Sequence, residues 1–259
     1  MSAVEREVQH HIALRRGDVG RYVLLPGDPG RCERIASRFD EPRPVARNRE
    51  YETWTGSLGG VPVSVTSTGI GCPSSAIAVE ELVRCGADTF IRVGTGGGMQ
   101  AGMRTGELAI VTAAIRDEGT SSHYLPLEFP AVADLDVVLA LREAARRTGA
   151  LAREGVSQSK DSFYGELEPE RMPIAPELLE RWAAYIAGGA VTSEMEAATI
   201  FIVSAILRVR AGGLMVCFGS PSMTADEAAA SAADFTLDPL IDTAVEALRV
   251  LIERDGAAA

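Results

Sequence analysis

Apolar residues fall along this chain in two patterns, short dense runs and longer stretches with a period between three and four. The runs Tyr22–Leu25, Val61–Thr66, 89–93, 108–113 and 213–218 are β-branched or aliphatic and are bounded by Gly, Pro or Asp. Continuous rather than alternating hydrophobicity predicts strands, several of them covered on both faces. Between them, residues 31–39, 74–85, 135–147, 176–186, 195–207 and 239–253 read as helices. In the last, Leu240, Ile241, Val245, Leu248, Leu251 and Ile252 step by three and four, which gives one apolar face. Residues 53–58 and Val61–Thr66 flank Gly59-Gly60, a pair suited to the positive φ of a tight hairpin turn.

Strand–helix alternation from end to end predicts an α/β fold, a three-layer α/β/α sandwich around a mixed, mostly parallel central sheet. No linker, internal repeat or low-complexity tract interrupts the 259 residues, so a single domain over 1–259 is expected. The irregular stretches 161–176 and 220–231 are rich in charge, Gly, Pro or small residues and read as loops placed to cover a site.

Composition narrows the picture. An apolar content of 46% supports a sizeable core and argues against disorder. A net charge of -11 argues against a nucleic-acid partner, which needs a basic face, but leaves room for one phosphate group held by a few arginines. Residues 1–20 are charged and carry no apolar signal core, and no apolar run is long enough to span a bilayer. A cytoplasmic protein without a membrane partner is therefore expected. Cys32, Cys72, Cys85 and Cys217 form no CxxC pair and read as buried thiols of a reducing compartment.

Four segments carry candidate chemistry. In Leu24-Leu25-Pro26-Gly27-Asp28-Pro29-Gly30-Arg31 a strand enters a Gly/Pro turn and then a helix. Such a turn lets backbone N–H groups approach an anion, and Arg31 adds a planar fork suited to phosphate oxygens. In Phe90-Ile91-Arg92-Val93-Gly94-Thr95 an arginine lies inside an apolar strand, where its burial demands an anion or carboxylate partner. A third arginine stands in Asn48-Arg49-Glu50-Tyr51. In Thr192-Ser193-Glu194-Met195-Glu196-Ala197 two carboxylates precede an apolar helix, Glu194 placed to cap it and Glu196 to point elsewhere. Paired carboxylates also supply acceptors for sugar hydroxyls. Each segment alone has an ordinary structural explanation: a tight turn, a buried ion pair, a surface charge, an acidic first turn.

In this order the segments resemble the nucleoside phosphorylase superfamily, and within it the uridine phosphorylase branch. The likeness extends to Ser67-Thr68-Gly69-Ile70-Gly71, Ala78-Val79-Glu80-Glu81-Leu82 and Pro126-Leu127-Glu128-Phe129-Pro130-Ala131-Val132-Ala133-Asp134, and runs from about His11 to Arg249. It implies a pentosyltransferase that splits uridine or a related pyrimidine nucleoside with inorganic phosphate, giving free base and (deoxy)ribose 1-phosphate. It implies phosphate binding by Gly27, Arg31, Arg92 and Thr95, with Arg49 lent to the neighbouring subunit. Ribose falls to His11 from across a dimer and to Glu194, Met195 and Glu196, and Phe163 stacks on the base. Arg31, Arg92, Thr95 and Glu196 are the implied catalytic set. The resemblance further implies a monovalent-cation (K+) site at Glu50, Ile70 and Ser74, no organic cofactor, and a dimer-based homo-oligomer, a hexamer.

Two departures bear on the base. Glu166 stands where the family reads the pyrimidine edge with a glutamine, and Arg171 follows it as the candidate partner. A carboxylate only accepts, whereas an amide both donates and accepts. After Phe218, itself a candidate for the base, Ser220-Pro221 replaces the Asn-Arg of uridine enzymes and the acid of purine enzymes. A purine or modified-nucleoside phosphorylase, or a catalytically weak nucleoside-binding homologue, are the alternatives.

Overall fold

The computed structural model describes residues 7–219 and 236–257. The chain opens with β1 (Tyr22–Leu25), α1 (Cys32–Ala36), β2 (Asp40–Asn48), β3 (Tyr51–Leu58), β4 (Val61–Thr66) and α2 (Cys72–Cys85). It continues through β5 (Thr89–Gly98), β6 (Leu108–Asp117), β7 (Ala131–Val132), α3 (Leu135–Thr148), β8 (Ala152–Lys160) and α4 (Phe163–Leu167). The described part ends with α5 (Ala175–Ala187), β9 (Thr192–Glu194), α6 (Ala197–Leu207), β10 (Arg210–Phe218) and α7 (Asp238–Ala257).

Among the described residues all strands join one mixed sheet. β2, β3, β4, β1 and β5 follow in spatial order, with β1 parallel to β4 and β5. β5 then pairs with both β10 and β9, and β10, β6, β8 and β9 pair in turn, so the sheet curls round and closes on itself. Helix α2 packs with α6 and α3 with α7, which gives the helical layers of the expected sandwich. The core is aliphatic and continuous: Val23, Leu24, Ile91, Val93, Leu141, Leu214 and Leu248 have no exposed surface. Among the described residues no helix is long and apolar enough to cross a membrane. All four cysteines are buried and unpaired.

The runs at β1 and β4 and the β3–β4 hairpin, with Leu58 opposite Val61, lie where the apolar pattern puts them. Other boundaries need correction. β5 does not stop at Val93 but continues through the glycines to Gly98. A Cβ on Gly94 would lie 2.4 Å from Met215 Sδ, on Gly96 2.5 Å from Thr192 Oγ1, and on Gly98 2.4 Å from the Gly219 carbonyl. These glycines make a close strand-on-strand junction, not a turn. β2 escapes an apolar search because it is an exposed edge strand, the one place where Pro42 and Pro44 cost no ladder hydrogen bond. The helix expected over 31–39 is a 3-10 turn, Pro29–Arg31, followed by the short α1. Residues 192–194 form β9, so α6 begins at Ala197 and not at 195. The stretch 161–176 is not irregular: it holds α4 and a 3-10 turn, Pro169–Arg171. Residues 220–231, with Ser220-Pro221, lie outside the described residues.

Candidate functional site

Two loops meet where β1 and β4 end. Pro26-Gly27-Asp28 leaves β1, and the Asp28 carboxylate accepts from Gly30 N–H at 2.9 Å to cap the turn that carries Arg31. Ser67-Thr68-Gly69 leaves β4, and the amides of Thr68 and Gly69 donate to the carbonyls of Pro26 and Gly27 at 2.9 Å each. A Cβ at Gly27 would sit 3.1 Å from the Gly69 carbonyl and 3.4 Å from Arg92 Nη1, so glycine lets the loop lie directly against the guanidinium. Gly69 itself has a φ of +71°, a conformation open to glycine and strained for other residues.

Arg92 is the centre of charge. Its side chain is buried, Nη1 donates to the Leu25 carbonyl at 3.4 Å, and Nη2 donates to Glu196 Oε2. Its Nε lies 3.8 Å from Glu194 Oε2 and has no hydrogen-bond partner. Arg31 reaches the same place from the turn. Burial first, and the neighbouring Arg92 second, lower its guanidinium pKa from the ordinary value. Arg31 thus brings a second guanidinium beside Arg92, whose own charge is met by Glu196 and faces Glu194.

The carboxylates on the other side are tightly built in. Glu196 Oε1 accepts from Gly71 N–H at 2.6 Å, which ties it to the N-terminus of α2. Glu194 caps α6: it accepts from the amide of Glu196 at 2.8 Å and of Ala197 at 3.0 Å, and from the Ser159 hydroxyl. Ser159 accepts in turn from Ala198 N–H at 2.9 Å. Burial, then the adjacent Glu196, push the Glu194 carboxyl pKa up, and Arg92 opposes them. The expected division of labour between Glu194 and Glu196 is thus visible, although Ser159 as positioning partner is not legible in the apolar pattern.

Strand register defines the open face beside this cluster. Thr95 and Gly97 alternate with Arg92, Gly94 and Gly96, and Gly97 lies opposite Ser193, which lies opposite Gln158. The same face of β8 therefore carries Gln158 and Lys160. Gly97 differs from its neighbours in that nothing lies within 4 Å of the Cβ it lacks, so the packing of the chain does not require glycine there. Lys160 Nζ donates to Ser193 Oγ at 2.6 Å and pairs with Glu166 Oε2 at 3.0 Å, while Ser193 Oγ lies 2.6 Å from that same oxygen. Beside them a cavity of about 400 Å³ runs between β8 and α5, walled by Asp117, Glu166, Leu178, Arg181, Trp182 and Tyr185. Lys160, Ser193 and Gln158 were not among the residues singled out in sequence. Their signal is the alternation Gln158-Ser159-Lys160 in a strand too polar to be recognised as one.

The remaining candidates are placed as follows. Phe163 opens α4, is 52% exposed and stands edge to face with Tyr164 at 5.4 Å. Arg171 is not drawn to Glu166; it pairs with Glu168 on the surface. Phe218 ends β10 with its ring partly exposed, and Met195 lies between the two carboxylates, its carbonyl accepting from the Cys72 thiol at 3.2 Å. Arg49 is exposed, with a left-handed φ of 55°. Glu50 and Ser74 both approach Gly69, and Ile70 is 80% exposed. His11 Nδ1 donates to Glu81 Oε1 at 2.7 Å, and the amides of His11 and Ile12 donate to Glu81 Oε2 at 3.0 and 2.9 Å. Within one chain neither Arg49 nor His11 bonds to Arg92 or Glu196.

Glu81 therefore anchors the segment that carries His11. Replacing it by alanine leaves two amides without acceptors and should cost about 1–3 kcal/mol in chemical denaturation. Burial alone would raise the Glu81 pKa, but the amide and imidazole donors hold it below the ordinary carboxylate value. Its stabilisation is accordingly present above the unfolded-state pKa and lost as pH falls through the lower folded one. A variant as stable as the parent at neutral pH would show that the anchor contributes nothing.

A glycine-lined turn, two neighbouring guanidinium groups and a buried carboxylate pair meet at one end of the sheet of an α/β protein. The chain belongs to the phosphorylase superfamily, whose family model matches residues 21–253. Within it, the chain is 47% identical over 250 residues to a uridine phosphorylase of Treponema pallidum, covering 96% of each chain. It is 50% identical over 218 residues to a uridine phosphorylase of Thermococcus kodakarensis, covering 83% of this chain and 79% of the other. A guanosine phosphorylase of Halorubrum lacusprofundi is 40% identical over 212 residues, covering 82% of this chain and 83% of its own.

Proposed function

We propose that this protein is a pentosyltransferase that cleaves uridine or a closely related nucleoside with inorganic phosphate, releasing the free base and (deoxy)ribose 1-phosphate. The observation that carries this reading is the buried Arg92, held against the Gly27 turn beside Arg31 and bonded to Glu196. Phosphate would take the N–H groups of Arg31 and Arg92, the backbone of Gly27 and the hydroxyl of Thr95. Glu196 would accept from the ribose hydroxyls while keeping its bond to Gly71, with Met195 beneath the sugar. The C1′–N bond breaks with its electron pair leaving on the base. The positive charge at C1′ is then stabilised and captured by the phosphate oxygen, forming the C1′–O bond. Rate enhancement comes from positioning and preorganised charge, with no covalent protein intermediate.

Arg49 and His11 are read as contributions to a neighbouring subunit's site, which makes the working unit at least a dimer, with a hexamer built from such dimers. Glu50, Ile70 and Ser74 are read as a monovalent-cation site at that interface, and the cytoplasm as the compartment.

Guanosine is the second reading, favoured by Glu166 and by the Halorubrum relative. A carboxylate can accept both N1–H and N2–H of guanine. Here, however, Oε2 is already engaged by Lys160 and Ser193, which leaves one oxygen for a single N–H and favours uracil. Incubation with a panel of nucleosides, with and without phosphate, tests both readings. Uridine should yield uracil only when phosphate is added. Base release independent of phosphate would overturn phosphorolysis, and guanine release without uracil release would favour the second reading.

A further inference from the structure

We infer that Lys160 and Glu166 act together as the reader of the base edge, and that Lys160 is a catalytic residue which donates to a carbonyl oxygen of the departing base. The inference rests on the phosphorolysis reading and concerns what Glu166 cannot do alone. An amide at position 166 would offer one donor and one acceptor to an imide edge; an ionised carboxylate offers acceptors only and repels the carbonyl oxygens. The structure supplies the missing donor next door.

Lys160 has three ammonium hydrogens. One is donated to Ser193 Oγ at 2.6 Å, Nζ is ion-paired with Glu166 Oε2 at 3.0 Å, and among the described residues no other acceptor is bonded to it, so an N–H is left for a ligand. Glu166 Oε2 is taken up by Lys160 and Ser193, while its Oε1 has no hydrogen-bond partner among the described residues. The ion pair thus presents one acceptor oxygen and one N–H donor side by side. That is the complement of a ring N–H flanked by a carbonyl. Gln158 and Lys160 share the open face of the sheet with Gly97 and Thr95, where the absent Gly97 side chain leaves the approach clear. The pair is held from behind: Gln158 Nε2 donates to Asp117 Oδ2 at 2.7 Å, Gln158 Oε1 lies 2.9 Å from Ser193 Oγ, and Asp117 pairs with Arg181.

The placement matters for the reaction. When the C1′–N bond breaks, its electron pair is delocalised onto the carbonyl oxygens of the leaving base. An ammonium donor there meets more negative charge in the transition state than in the bound nucleoside, which is the condition for raising the rate and not only the affinity. No proton need pass from Lys160; water protonates the released anion.

The test uses the intact protein with inorganic phosphate and compares uridine with 5-fluorouridine, whose base leaves as a more stable anion. Lys160→Met should lower kcat/KM for uridine about 100-fold, and distinctly less for 5-fluorouridine. Glu166→Gln placed on top of Lys160→Met restores an amide with its own donor and should recover about tenfold of the loss. Lys160→Gln, which keeps a donor of similar reach, should fall between parent and methionine variant and covers the case in which methionine does not fold. Equal losses on the two substrates, or a double variant no better than Lys160→Met, would overturn the assignment. A parent protein that releases no base from any nucleoside with phosphate fails the phosphorolysis reading instead, and the two failures are told apart by that control.

Discussion

Replacing Arg92 by alanine is expected to cut phosphate-dependent base release by about 10²–10³ in kcat/KM, on the order of 3–4 kcal/mol of transition-state stabilisation. The guanidinium would face phosphate in the ground state and the charge spread over phosphate and C1′ as the bond breaks, so both KM for phosphate and kcat should suffer. Arg92→Lys keeps a charge but not the fork that reaches Leu25 and Glu196 at once, and should recover only part of the loss. Removing the cation also leaves Glu194 and Glu196 without their neutralising partner, so circular dichroism must accompany the kinetics. A folded Arg92→Ala variant with near-parental turnover would mean that phosphate binds elsewhere.

The second large effect is on stability. Glu194 is buried and accepts from the amides of Glu196 and Ala197 where α6 begins and from a serine hydroxyl, so Glu194→Ala should destabilise the fold by about 3–5 kcal/mol. Glu194→Gln keeps one acceptor oxygen and should lose less. The two variants also separate on pH. The folded-state pKa of Glu194 is raised by burial and by Glu196, so the native state binds more protons than the unfolded one between the two pKa values. Its stabilisation is therefore complete below the unfolded pKa and declines as pH rises through the folded one. The stability gap between parent and Glu194→Gln, measured by denaturant melts, should narrow from acid towards neutral pH. A gap that widens over that range would contradict the raised pKa.

Much of the fold was legible because burial and apolarity coincide at β1, β4, α3 and α7. It was illegible where they part. β8 reads Ala-Arg-Glu-Gly-Val-Ser-Gln-Ser-Lys, yet its C-terminal half is buried, because the side chains of Gln158, Ser159 and Lys160 bond to Asp117, Ser193 and Glu194, while in that half only the Ser157 hydroxyl is buried without a partner. Polarity there marks a hydrogen-bonded buried strand and not a loop. The glycines after Val93 misled in the opposite direction, since a run that usually breaks structure here permits a strand to lie against Met215 and Thr192. At the site, Arg92 could be singled out from its apolar surroundings alone, but that Glu194 and Glu196 are its carboxylate neighbours is visible only in the fold. Arg49, His11 and the cation residues came from family likeness only, and one chain gives them no bonded partner in the Arg92 cluster.

The closure at β5 has a consequence for variation. At Gly94, Gly96 and Gly98 the strand lies so close to Met215, Thr192 and the Gly219 carbonyl that even one added methyl collides with a neighbour. On the proposed reading, the contour beneath a ligand would be inherited as geometry, while discrimination among ligands would fall to the projecting residues of the rim, from Gln158 through α4 and in Phe218. A mutant library seeking a new base preference should find its successes on that rim and its dead clones on the floor.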